Sequence, residues 1–354
     1  MSIRRYFWIS LLCAALPALA QQAPASNQAA SPALSSGPTQ FTVDVNVTDK
    51  AGKPVSGLQK QDFTLLEDNR PLNIPSFQEI TSAAGSTPTQ VTIVLDSVNT
   101  SFQTLSSVRH QLYNFFQQNG GHLPVPVTLA IFSYSGLNAQ EQASNDGRAA
   151  LDFLNRNPIP VHADNGAQGE AGAFDRIDRS LGAVRSMSVA NLKIPGRKLL
   201  IWVSPGWPVP MESTLGLTSR EKQAVFNRIV STTGLLLVSR TSLYSVDPLG
   251  TADAGSFFAH RYQDYLKEIK SPQQPQVANL GLQVFAIHSG GRVFSGSNDL
   301  TGELNHCIDD ATDYYTLSFD PPRADHPNEY QHLEIKLDKP DLKARTRSGY
   351  YMQP

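Results

Sequence analysis

Val91-Thr-Ile-Val-Leu-Asp-Ser-Val-Asn-Thr100 decides how this chain folds. The apolar run Val91 to Leu95 reads as a strand covered on both faces. It ends in Asp96 and a polar turn, and the next residues have helical periodicity: Leu105, Val108, Leu112, Phe115 and Phe116 form one stripe. A buried strand, an acid at its end and an amphipathic helix are how an open α/β sheet presents a ligand site at the carboxyl edge of its strands.

Outward from this stretch the alternation continues. Val127–Phe132 and Leu199–Val203 are further apolar strands, Leu243–Val246 another, and Arg292–Phe294 a short one. Helices are predicted around Arg148–Asn155, Phe174–Met187 and Ser219–Thr232, and again from Asn298, while Val277 to Ile287 is a further apolar stretch. Such alternation predicts an α/β fold over residues 90–311, with a doubly wound, mostly parallel sheet. The flanks read differently. Phe41-Thr-Val-Asp-Val-Asn-Val-Thr48 alternates strictly, as do Tyr314–Phe319, Leu333–Leu337 and Leu342–Thr346. Residues 41–82 alone are too few for a comfortable core. The expectation is that they join residues 313–352 in a small β-sandwich into which the α/β domain is inserted.

The ends and the composition set limits. Met1 to Ala20 has the form of a secretory leader: Arg4 and Arg5, then an apolar stretch from Tyr6 to Leu16, then Ala18-Leu-Ala20. The apolar run is shorter than the ~20 residues that span a bilayer, so cleavage and an exported protein, periplasmic or extracellular, are expected. Residues 21–40 are rich in Ala, Ser, Pro and Gln and predict a disordered tether. Of the two cysteines, Cys13 leaves with the leader and Cys307 remains as a buried, inert thiol. The formal charge of −2 becomes −4 without Arg4 and Arg5, and there is no basic block, which disfavours nucleic acid as a partner. No later segment is apolar enough to span a membrane.

The chain resembles the von Willebrand factor A-related domain family abundant in Acidobacteria. The resemblance runs from Phe41 to Tyr351. It is carried by Val45–Asp49 with Gly52 and Val55–Leu58, Asp62-Phe63, Val94–Asp96 with Asn99-Thr100, and Leu243–Asp247. Gly290–Arg292, Asn298–Leu300, Tyr314-Tyr315 and Arg347–Tyr351 complete it. It implies architecture and export, and a role in adhesion or scaffolding rather than an enzyme. In that family's metal-binding members, Mg²⁺ or Mn²⁺ sits among loop hydroxyls and aspartates. Here Asp96 and Thr100 match the first loop, but Val98 replaces the serine between them. No threonine stands between Asn155 and Arg185 for the second loop, and Pro205 holds the third loop's aspartate position. A hard cation needs a near-octahedral set of oxygens, so no metal is expected, with Asp96 and Thr100 as vestiges. Asp96 is expected instead to cap the next helix or bond loop amides.

The strand ends still converge, and the candidate contact residues are Asp96, Ser97, Asn99, Thr100, Ser135, Ser204 and Trp207. Trp207, between prolines in Gly206-Trp-Pro-Val-Pro210, has the size and rigidity of a binding hot spot, the alternative being that it folds back over the sheet edge. The loop 155–173 carries His162, Asp164 and Glu170 without a metal-ligand spacing. Lys343, Arg345 and Arg347 alternate along one strand and predict a charged, exposed edge. The reading is a protein-binding or scaffold module without cofactor. A divalent-cation-dependent adhesin using Asp96 and Thr100 is the alternative. A periplasmic hydrolase using Ser204 is a further one, although no Gly-x-Ser-x-Gly elbow occurs and the eight histidines are scattered.

Overall fold

The computed structural model describes residues 40–81, 89–160, 169–208, 216–252 and 261–352; the leader and tether readings fall outside them. In chain order the elements are β1 (Phe41–Thr48), β2 (Phe63–Glu67), β3 (Arg70–Pro71), β4 (Ser76–Ile80), β5 (Gln90–Asp96) and α1 (Phe102–Gln117). Next come β6 (His122–Ser133), β7 (Gly136–Ala139), β8 (Ser144–Asp146), α2 (Gly147–Arg156), α3 (Gly169–Asn191), β9 (Lys198–Val203) and α4 (Ser219–Val238). They are followed by β10 (Thr241–Val246), α5 (Leu282–His288), β11 (Val293–Phe294), α6 (Leu300–Thr312), β12 (Tyr314–Phe319), β13 (Glu329–Leu337), β14 (Lys343–Arg345) and β15 (Gly349–Met352).

The central sheet runs β11-β10-β9-β5-β6-β7 with β8 also on β6, and is parallel except for β7 and β8, which pair antiparallel with β6. Alternate residues of its strands face opposite layers. Ile93, Leu95 and Ile201 pack with α1, α2 and α6, while Val94, Leu200 and Trp202 pack with α3, α4 and α5. Helices therefore cover both faces, which is why these strands read as continuous apolar runs. Pro124 and Pro126 lie in the lower part of β6, before its pairing with β5 begins at Val127, so their missing N–H groups cost that ladder nothing.

Two four-stranded antiparallel sheets, β14-β1-β12-β4 and β15-β13-β2-β3, lie on either side of one core. Val43, Val45, Leu65, Leu317, Phe319 and Tyr350 form its centre. β1 pairs with β12 in register from Phe41↔Phe319 to Val45↔Tyr315, so the two flanks of the chain share a ladder.

The polar face of β1 is not solvated, as strict alternation suggests. Asp44 accepts Arg240 Nη2 at 2.5 Å, and buried Asn46 accepts Arg197 Nη2 at 2.8 Å while donating to Asp310 O. The expected charged edge is likewise internal. Arg345 Nη2 donates to Asp310 Oδ2 at 2.5 Å, Arg347 is buried against Leu236 O, and Lys343 alone is exposed. The reason is the same in both cases: these faces meet the helical layers, where charge finds charge rather than water. The expected loop 155–173 is also shorter than read, since α3 begins at Gly169; His162 and Asp164 lie outside the described residues.

Candidate functional site

Asp96 ends β5 on the face that carries Val94 and Trp202, and its carboxylate is fully buried. Its Oδ1 accepts the backbone N–H groups of Val98 and Asn99, both at 2.9 Å. Its Oδ2 accepts Asn99 Nδ2 at 2.7 Å and the indole Nε1 of Trp202 at 2.8 Å. The Ser204 hydroxyl donates instead to Gly206 O at 3.4 Å. Burial pushes the Asp96 carboxyl above its ordinary 3.8, and the bonds from Asn99 and Trp202 oppose that rise. Both oxygens are thus occupied by protein donors. Asp96 bonds loop amides and caps nothing; Ser101 caps α1, its hydroxyl accepting Thr104 N at 3.2 Å.

The other predicted residues spread around this nest. Asn99 reaches a second layer by donating to Ser180 Oγ of α3 at 3.0 Å. Ser97 is buried and donates through its hydroxyl to Phe132 O at 2.9 Å, which ties the first loop to β6. Thr100 is buried, and its Oγ1 and Asn99 Oδ1 have no hydrogen-bond partner. Ser204 has no exposed surface, and its Oγ also accepts Gly206 N at 3.2 Å. Ser135 is exposed, bonded to Ser133 at 2.8 Å.

Trp207 corrects an expectation. It is 4% exposed, its ring edge-on to Trp202 at 5.8 Å and 6.5 Å from Phe285. It is core, not contact surface. Gly206 makes this possible: at φ +121 it turns the chain back over the sheet, and a Cβ there would lie 2.6 Å from Gln283 Nε2.

Two residues that sequence reasoning passed over matter more. Trp202 stands opposite Val94 in the β9–β5 register, one diagonal step from Asp96. A buried indole N–H needs an acceptor, and Asp96 is the charged one within that reach. Phe102 is 59% exposed at the first position of α1, beside the same strand edge. At roughly 100° per residue it lies well off the Leu105–Phe116 stripe, and that offset is the signal for it. Ser101 next to it, and Ser135 and Gly136 just after the adjacent strand β6, are exposed and uncharged.

Among the described residues no group of three or more His, Cys, Asp or Glu is placed to hold a metal ion, and no helix is long and apolar enough to cross a membrane. No family model and no curated protein sequence matches the chain. Among solved structures it is similar to human COPII-coat protein Sec24c, at 8% identity and TM-score 0.32, covering 75% of this chain and 44% of that one. It is similar to the pilus adhesin SpaC from Lactobacillus rhamnosus GG, at 9% identity and TM-score 0.38, covering 85% and 49%. A third likeness is to the pilus adhesin RrgA from Streptococcus pneumoniae, at 10% identity and TM-score 0.24, covering 52% and 28%. The chain thus spans less than half the length of each, and likenesses of this size decide nothing about activity.

Proposed function

We propose that this is an exported protein-binding or scaffold module. Its central domain is a von Willebrand factor A-type fold whose metal site has been replaced by a closed hydrogen-bond nest. It engages a protein partner through the loops at the carboxyl edge of its parallel strands. The observation that carries this reading is the state of Asp96. A carboxylate whose two oxygens accept four hydrogen bonds at 2.7–2.9 Å has no lone pair to turn outward to a cation. Val98 and Pro205 remove two further oxygen ligands, so the residues do not fit Mg²⁺ or Mn²⁺.

What the rim offers instead is an exposed phenyl ring, with exposed serine and glycine on its own loop and the loop after β6. That composition gives large, rigid contact area with adaptable hydrogen bonding, as in antibody paratopes. We assign Phe102 the anchoring role and Ser101 and Ser135 the polar contacts. Against a hydrolase at Ser204 stands its full burial, which keeps the hydroxyl from any substrate.

The test is capture of partners from the native envelope by the immobilised protein, with and without EDTA. Phe102→Ser is expected to cut capture by about 2 kcal/mol, a roughly 30-fold loss, and EDTA to leave it unchanged. Capture that survives Phe102→Ser, or that EDTA abolishes, overturns the reading.

A further inference from the structure

The edges of the three sheets are closed in different ways. β14 carries Lys343 and Arg345, β3 consists of Arg70 and Pro71, β4 carries Glu79 and β8 ends in Asp146. β15 is buried, with Tyr351 edge-on to Phe226 of α4 at 5.9 Å. β11 is two residues long, and the Arg292 guanidinium lies 4.6 Å from the centre of its Phe294 ring. Charge, proline and cover are the devices that keep a foreign strand from adding to a sheet. β7 has none of them. Gly136–Ala139 are all exposed, and neither a charged residue nor a proline occurs from Ser133 to Gln140. Among the described residues it is the one edge strand left open.

The ladder shows which groups that edge presents. β7 pairs with β6 from Ser133↔Gly136 to Ala130↔Ala139, and Gln140 N donates to Leu129 O at 3.0 Å. Bonds to one neighbour fall on every second residue of an antiparallel strand, so Gly136, Asn138 and Gln140 turn toward β6. The N–H and C=O groups of Leu137 and Ala139 turn outward. Leu137 stands opposite Phe132 on the α3 face of the sheet and is 36% exposed.

We propose that a second copy of this chain pairs with β7, antiparallel about a two-fold axis at Asn138, joining two central sheets into one. This register sets Leu137 of each copy opposite Ala139 of the other, so the outward groups of both residues are satisfied; a two-fold at Leu137 or at Ala139 would pair only one of them within the strand. Charge is complementary in the same register. No charged residue from Ser133 to Gln140 meets its own image. Glu141 falls opposite Ser135 of the second copy, next to Tyr134. Leu137, Ala139 and Glu141 alternate onto the α3 face, where Tyr134 also packs. There the Arg179 guanidinium, 44% exposed and bonded to Asp175 at 2.7 Å, lies 5.4 Å from the centre of the Tyr134 ring. The acid of each copy thus approaches the cation of the other. This pairing does not depend on the role given to Phe102.

Sedimentation velocity of the full chain across the micromolar range tests the proposal, and a monomer–dimer equilibrium is expected. Ala139→Pro removes one outward N–H from each copy and is expected to weaken association roughly 30-fold. Its thermal melt should be unchanged, because an outward edge position gives no bond to β6. Asn138 and its image form a non-hydrogen-bonded pair with Cα atoms about 4.5 Å apart, within disulfide reach. Cys307 is buried, so Asn138→Cys under mild oxidation is expected to give a covalent dimer whose bridge maps by mass spectrometry to position 138 of both chains. A monomer at every concentration overturns the proposal and leaves the edge to an extended strand of another protein. So does a dimer whose affinity Ala139→Pro leaves unchanged, or one that Asn138→Cys fails to cross-link.

Discussion

Asp96 shows what a single residue can preserve and what it can lose. Its position at the end of a buried strand was legible from the run Val91–Leu95, and so was the lack of a side-chain oxygen at Val98 and Pro205. The indole that closes the carboxylate was not, because Trp202 is 106 residues away and its reach depends on strand register. Asp96→Asn puts an amide N–H₂ against the donors of Trp202 and Asn99. It is expected to cost about 1–3 kcal/mol, the penalty for leaving buried donors unpaired, read as a lower urea midpoint. Glu303 gives a second residue-level test. It is 6% exposed, and burial, then Asp247 and Asp299, push its carboxyl from 4.5 to about 7. Between those values the folded state holds a proton that the unfolded chain has released, so its contribution to stability falls as pH rises from 4.5 to 7 and is level above. Glu303→Gln removes that slope. Relative to wild type the variant is expected to gain on the order of 2 kcal/mol between pH 4.5 and pH 8, measured by urea unfolding at both.

Element by element, periodicity told which faces are apolar but not what the polar faces meet. β1 is the clear case. Val43, Val45 and Val47 fill the sandwich core as their spacing predicts, while Asp44 and Asn46 meet Arg240 and Arg197, 196 and 151 residues further along the chain. No local pattern encodes pairs at that separation. The glycines of Gly290–Arg292 are explained at this scale too. A Cβ on Gly291 would stand 1.8 Å from Leu243 O, so the turn after α5 lies directly against β10. Gly291→Ala has no flexible side chain to displace and must move a backbone. It is expected to destabilise the fold by more than about 2 kcal/mol, read as a loss of several degrees in thermal melting.

Across the whole molecule, the junction between the sandwich and the α/β body is built from charge. Asp310, on α6, accepts Tyr244 OH at 3.1 Å and Arg345 Nη2 at 2.5 Å through Oδ2, while its backbone oxygen accepts Asn46 and Arg197. Asp310→Ala leaves the half-buried Arg345 guanidinium without its counter-charge and the buried Tyr244 hydroxyl without its acceptor, expected to cost about 2–3 kcal/mol. Because Asp310 bonds groups in both parts, hydrogen exchange is expected to speed up together in β1–β12 and in β5–β9. Acceleration confined to one part would show two independent folding units.

The central claim concerns the strand edge itself: that indole and amide donors hold Asp96 in place of a cation. Titration calorimetry of Mg²⁺ and Mn²⁺ into the folded protein tests it most directly. The expected result is heat of dilution only, at any concentration up to the millimolar range. A low-micromolar isotherm of one site per chain, lost in Asp96→Ala protein that still melts cooperatively, would contradict it.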